Sequence, residues 1–206
     1  VRIPYIPFSN IQYSCPLDNP SVIFCKSLNL DFYATCFKRV EDILLRLVMV
    51  SEKDIAEFGD LWALMYCTFA REMVDSFGEA GEKALIRAIQ VYGRARGERL
   101  RERHLEQGLP VNLRSLFEYY DLPGHPDTRK ERTHFTDDKL VSDTYLCPYE
   151  RLWRARGCND VGLLYCQYFH HAFWQTYRPD IDVQIPEILT KDDQYCRFIV
   201  TQPPEE

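Results

Sequence analysis

The segment Val161-Gly162-Leu163-Leu164-Tyr165-Cys166-Gln167-Tyr168-Phe169-His170-His171-Ala172-Phe173-Trp174-Gln175-Thr176-Tyr177 is apolar or aromatic on nearly every side of a helix. A helix of that kind is buried all round rather than laid on a surface. It is too short and too interrupted by polar side chains for the roughly 20 apolar residues that a membrane span requires. Asn159 or Asp160 is placed to cap its start, and Pro179 stops it. A central helix must be covered on both sides, so the surrounding sequence decides with what.

Upstream, Pro148 can open a short helix at its first turn, running through Arg156 and closed by Gly157. Before it, Thr133 to Thr136 and Leu140 to Leu146 are short β-favouring runs flanking Asp137-Asp138-Lys139, the layout of a hairpin. Downstream, Asp182 to Leu189 and Tyr195 to Thr201 alternate as two further strands with an acidic turn between them. The first half is helical. Ser51 with Asp54 is a capping box that opens a helix reaching about Val74, and Ser76 with Glu79 repeats the signal for a second one reaching about Gln107. Gly93 and Gly97 inside that second helix either kink it or admit a close neighbour, with the kink the simpler reading. Gly108-Leu109-Pro110 ends it, a short helix covers Leu113 to Tyr120, and Leu122 to Lys130 is a loop. The fold class is α+β: a helical N-terminal half followed by a small antiparallel sheet packed on a central buried helix. Residues 1–30 hold several prolines and read as an extended proline-rich N-terminal arm, and residues 31–206 as a single α+β catalytic domain that begins with an amphipathic helix over Asp31 to Val50.

Composition narrows the function. The 206 residues are 46% hydrophobic and 27% charged, which excludes disorder and low-complexity architectures. Twenty-five Lys and Arg against 31 Asp and Glu leave a net charge of -6, without the basic surplus that phosphate backbones reward, so no nucleic acid is expected. The longest apolar run, Ile43 to Val50, is interrupted by Arg46 and falls far short of a bilayer span, so no membrane partner is expected either. An arm with exposed apolar residues is most easily buried against a second copy, which makes a homodimer an expectation. The eight cysteines lie partly inside apolar patterns, the usage of a reducing, cytoplasmic setting. No Gly-rich phosphate loop, His-Glu-x-x-His, Gly-x-Ser-x-Gly or calcium loop occurs, which removes the main support for nucleotide-dependent, zincin and serine-hydrolase chemistry.

Cys166 and His170 are four apart on the central helix, so their side chains share a face, where an imidazole could take a thiol proton. The alternative is a Cys packing as a small hydrophobe beside a structurally satisfied His. Cys147 at a strand end and Cys196 in the last strand could point at the same helix. Three thiols and an imidazole would suit a tetrahedral zinc, but the paired Cys-x-x-Cys knuckles of such sites are missing, and no cofactor or metal is assigned. Cys158, in a turn beside Gly157, reads as an exposed bystander. Arg96 continues the buried stripe Leu85, Ile89, Tyr92, where its guanidinium would hold a carboxylate, either of the protein or of a ligand. His171, Tyr92 and Trp174 complete the candidate substrate-binding set. Arg94 and its basic neighbours alternate with Glu and read as a solvated face.

The stretch Tyr92, Gly93, Arg94, Arg96, Gly97, then Cys147-Pro148 after a strand, then Tyr165-Cys166, then Asp193, Cys196 and Phe198 in an Asp-x-x-Cys-x-Phe strand, resembles the L-2-amino-thiazoline-4-carboxylic acid hydrolase family over about residues 78–200. Gln167 and its neighbours stand where the family places an acidic residue, and Asp192 stands where it places Gly. The resemblance implies hydrolysis of a C–N bond in a small cyclic amidine, opening a thiazoline ring. The residues themselves suggest how: Cys166, as a thiolate formed next to an imidazole, attacks an amidine or imine carbon of a substrate from natural-product or amino-acid metabolism, with His170 as base and then acid and Arg96 holding a carboxylate, while Cys147 and Cys196 line the pocket or supply the nucleophile themselves. Two competitors stay open: a non-hydrolytic cyclase, isomerase or lyase acting on a hydrophobic intermediate, and a non-catalytic sensing domain similar to 4-vinyl-reductase-type modules.

Overall fold

A computed structural model describes residues 50–203 of the chain. The expected arm, the helix over Asp31 to Val50, and Cys15, Cys25 and Cys36 lie outside the described residues.

Helix α1 (Glu52–Glu106) begins where the sequence placed it, with Ser51 and Asp54 closing a reciprocal capping box. The expected second helix is present: helical geometry breaks at Gly78, whose φ of 54° is open to glycine without strain, so α1 is two helical segments joined across a kink there. Ser76 does not cap the second segment, its hydroxyl donating instead to Glu72 of the preceding turn at 2.9 Å. Beyond that bend α1 runs unbroken through Gly93 and Gly97, so the kink expected there is absent. These glycines serve the other purpose: a Cβ on Gly93 would stand 2.8 Å from the Ala172 Cβ and 3.0 Å from the Phe169 carbonyl oxygen. The backbones of two helices touch at this point because neither glycine has a side chain to hold them apart.

Helix α2 (Leu113–Glu118) is capped by Asn112, whose side chain accepts from the Ser115 amide at 2.9 Å. Strands β1 (Arg129–Phe135) and β2 (Lys139–Leu146) form the expected hairpin, with Thr136 and Lys139 bonded across its turn. Helix α3 (Pro148–Ala155) starts on its proline, and Gly157, at φ 67°, reverses the chain after it. Helix α4 (Asn159–Tyr177) is the quoted segment, and β3 (Asp182–Glu187) and β4 (Cys196–Thr201) follow. The N-cap of α4 is Cys158 rather than Asn159 or Asp160, with no side-chain cap bond. Asn159 is drawn away to the Thr190 carbonyl, and Asp160 pairs with Arg71 of α1.

The four strands are antiparallel in the order β1-β2-β4-β3. Pro186, which has no amide hydrogen to give a ladder, sits on the edge strand β3 at a register irregularity. Phe198 and Val200 of β4 and Leu140 of β2 turn one sheet face toward α4, while α1 packs on the other side of that helix. Phe169, Phe173 and Tyr177 of α4 are accordingly buried, together with Leu85, Ile89 and Leu100 of α1. Trp153 of α3 fills the remaining corner. Its ring lies where a Cβ on Gly162 would be, and its indole N–H donates to the Ala63 carbonyl at 3.0 Å. The α+β class is as expected, with the helix at its centre. No helix among the described residues is long and apolar enough to cross a membrane.

Candidate active site

Antiparallel pairing sets Cys196, the first residue of β4, opposite Thr144 near the end of β2. Cys147 follows β2 directly and caps α3, so it emerges at the same corner of the sheet. Helix α4 passes beneath that corner and presents Cys166, whose thiol is acted on by the charges Cys147 and Cys196 would carry. Three thiols from three elements therefore lie within electrostatic reach of one another. Among the described residues no group of three or more His, Cys, Asp or Glu is arranged to hold a metal ion.

Burial holds all three thiols protonated: it raises Cys147 and Cys166, and raises Cys196 to about 12. Each thiol nevertheless has a donor working in the opposite direction. For Cys147 these are the amides of Tyr149 and Glu150 at the start of α3. For Cys196 it is the Leu189 amide, 3.2 Å from the sulfur. For Cys166 it is the hydroxyl of Thr190, in the 3-10 turn Leu189–Lys191. The motif Asp-x-x-Cys acquires a physical meaning here. Asp193 accepts from the Ile188 amide at 2.7 Å and Cys196 from the Leu189 amide, so both motif residues grip the same turn. Asp192, standing where the family places Gly, has φ 67°, the left-handed region that glycine enters freely and Asp tolerates.

The sequence reading missed Glu150 and Thr190. Glu150 is buried, its carboxylate opposes the ionisation of Cys147, Cys166 and Cys196 alike, and Arg154 holds its Oε1 at 2.5 Å. Only its place three residues after Cys147, in the first turn of a helix that opens on proline, could have pointed to it. Nothing in the sequence marked Thr190.

His170 does not bond to Cys166. Its ring is enclosed by Phe169, Trp174 and Phe198, with centroid separations of 5.3, 4.8 and 4.9 Å, and its Nδ1 is buried without a partner. Burial, with His171 and Arg96 adding to it, lowers its pKa to about 3, so the imidazole is neutral. His171 turns away from the thiols. Its Nδ1 is 3.1 Å from the Gln167 carbonyl oxygen, and it lines a surface groove with Gln90, Arg94, Tyr168 and Gln175. Trp174 is a core residue whose indole donates to the Tyr120 hydroxyl at 3.4 Å. Cys158 is buried, not exposed, because its sulfur lies against the Cys67 carbonyl oxygen where α4 meets α1.

Arg96 points inward and forms a bidentate pair with Asp121, at 2.7 and 2.5 Å. Its guanidinium stacks near the Phe169 and Phe173 rings, 5.2 and 4.9 Å from their centroids. Burial works against its charge, but the Asp121 bonds hold its pKa above the ordinary range. The pair occupies Nε and Nη2 and leaves Nη1 without a hydrogen bond among the described residues. Around it lie Tyr92, Tyr120 and Tyr165, while Tyr149 is close enough to feel both Arg96 and Cys147. Burial raises the pKa of Tyr120, Tyr149 and Tyr165, so these phenols stay neutral donors. A band of tyrosines thus links one guanidinium to the thiol cluster.

A helical half, a four-stranded antiparallel sheet and a central helix that carries one of three neighbouring buried thiols define an α+β protein with a fixed, buried cation at its core. The family model described as L-2-amino-thiazoline-4-carboxylic acid hydrolase matches residues 61–200, and the chain belongs to that family. No curated protein and no solved structure matches the chain.

Proposed function

We propose that this protein hydrolyses the C–N bond of a small cyclic amidine bearing a carboxylate, of the thiazoline kind, with Cys166 as nucleophile. The observation that carries this reading is the convergence of Cys147, Cys166 and Cys196 beside a tyrosine band that ends on Arg96. The family description supports the class of substrate.

In this reading the free Nη1 of Arg96 takes the substrate carboxylate, Asp121 keeps the guanidinium charged and oriented, and Tyr92 borders the ligand from its half-exposed position on α1. The Cys166 sulfur adds to the amidine carbon as its proton passes to an acceptor. Glu150 suits that role better than His170, since its carboxylate acts on the thiol whereas the imidazole is walled off by aromatic rings. The ring C–N bond then breaks and the leaving nitrogen takes the proton back. Water adds to the carbon of the resulting thioimidate and the Cys166 thiolate leaves, so the balance is one water per turnover.

The test is incubation of the protein with 2-amino-thiazoline-4-carboxylic acid and a panel of cyclic amidines and imines, followed by mass spectrometry, with Cys166→Ala alongside. The reading expects a gain of one water that the variant does not catalyse. A product of unchanged mass would replace hydrolysis with isomerisation, and full activity in Cys166→Ala would remove the nucleophile assignment.

A further inference from the structure

Thr190 is almost fully buried, and its Oγ1 makes no hydrogen bond of normal geometry among the described residues. A buried hydroxyl without a partner is costly to keep, so a fold that retains one invites a reason. The turn around it is fixed from four directions. Asp193 takes the Ile188 amide at 2.7 Å, and Cys196 takes the Leu189 amide at 3.2 Å. Arg154 donates to the Leu189 carbonyl at 3.0 Å, and Asn159 donates to the carbonyl of Thr190 itself at 2.7 Å. These anchors come from the loop before β4, from β4, from α3 and from the first residue of α4. Together they hold the backbone of the turn in place, with the Thr190 hydroxyl buried close enough to Cys166 to act on its thiol.

We infer that Thr190 is the residue that activates Cys166, its hydroxyl donating a hydrogen bond to the sulfur once the thiolate forms. The inference rests on Cys166 being the nucleophile. A thiolate is a better acceptor than a thiol, so the bond left slack in the resting protein tightens as charge develops, which is where a donor lowers a barrier. The titratable groups near Cys166 on other elements are Cys147, Glu150 and Cys196, each of which opposes its ionisation, and the phenol of Tyr66 on α1, which burial keeps neutral. Thr190 is the neighbour that favours it. This asymmetry distinguishes Cys166 from Cys147, which relies on helix amides, and from Cys196, whose sulfur is already engaged in holding the turn.

The test uses Thr190→Val, which keeps the shape and removes the hydroxyl, and Thr190→Ser, which restores it. Iodoacetamide alkylation of Cys166 is followed by site-resolved mass spectrometry near neutral pH, beside thermal melting and turnover. The expected result is alkylation of Cys166 slowed about tenfold in Thr190→Val, the effect of a pKa rise of about one unit on the thiolate fraction. Thr190→Ser should recover the rate, and Thr190→Val should melt no lower than the parent protein. Alkylation at the parent rate in Thr190→Val would overturn the inference. So would a loss of reactivity that comes with a lower melting temperature, which would make Thr190 structural. If the parent protein hydrolyses none of the amidines, the functional reading fails, while the alkylation contrast still decides whether Thr190 activates this thiol.

Discussion

Replacing Gly93 by Ala adds one methyl group at the point where α1 and α4 touch. The new Cβ would stand 2.8 Å from the Ala172 Cβ, 3.0 Å from the Phe169 carbonyl oxygen and 3.2 Å from the Phe173 amide nitrogen. Carbon pairs rest at about 3.5–4.0 Å, so the helices must part by several tenths of an ångström. None of the three atoms belongs to a side chain that can swing aside, hence α4 has to move as a body. The helix itself gains about 1 kcal/mol from exchanging Gly for Ala. Overpacking a well-filled contact costs about 1–3 kcal/mol, and main-chain obstruction puts this site at the upper end. The net is a destabilisation of about 2 kcal/mol, or a fall in melting temperature of about 4–8 °C for a chain of this size. The displacement also carries Phe169 and Phe173 away from the Arg96 guanidinium, so KM for a carboxylate substrate should rise more than kcat falls. Thermal unfolding followed by circular dichroism measures the first effect, with Gly124→Ala as control, because nothing lies within 4 Å of a Cβ there. A Gly93→Ala protein that melts at or above the parent temperature would refute the close-contact argument.

Glu150→Gln should move two readouts in opposite directions. Loss of a negative charge beside the thiols speeds their alkylation, while loss of the proton acceptor lowers kcat by about a hundredfold or more; unchanged turnover would return the role to another base. The buried His170 gives a pH signature: its folded pKa of about 3 lies below the unfolded value of about 6.5. The unfolded chain therefore binds the proton first as pH falls, so the stability from keeping this ring neutral is complete above about 6.5 and is lost progressively toward about 3. His170→Phe should flatten that decline in urea midpoints measured across the range, and a slope equal to that of the parent protein would count against a neutral buried imidazole.

Local physics was legible in the chain before any tertiary contact was known. The capping box at Ser51, the proline at the head of α3, the acidic hairpin turn and the all-round apolar character of residues 161–177 each act within a few residues, so sequence sufficed to place them. A central helix and a short sheet leave few places for the ends of β2 and β4, and Cys147, Cys166 and Cys196 do lie within electrostatic reach of one another. What sequence could not decide was the choice between partners that propensity treats alike. Ser76 had a cap position but donated to Glu72, leaving Gly78 to break the helix, and Asn159 had a cap position but reached for Thr190. Gly93 and Gly97 are kinks or contacts on equal terms until a second backbone arrives to occupy the space. The same holds for the site. A spacing of four puts Cys166 and His170 on one helical face, yet whether the imidazole meets the thiol or a wall of aromatic rings depends on what the sheet lays against that face. Thr190 gained its role only because Arg154 and Asn159, more than thirty residues away, join Asp193 and Cys196 in fixing one short turn, an arrangement that exists in three dimensions and leaves no periodicity in the sequence.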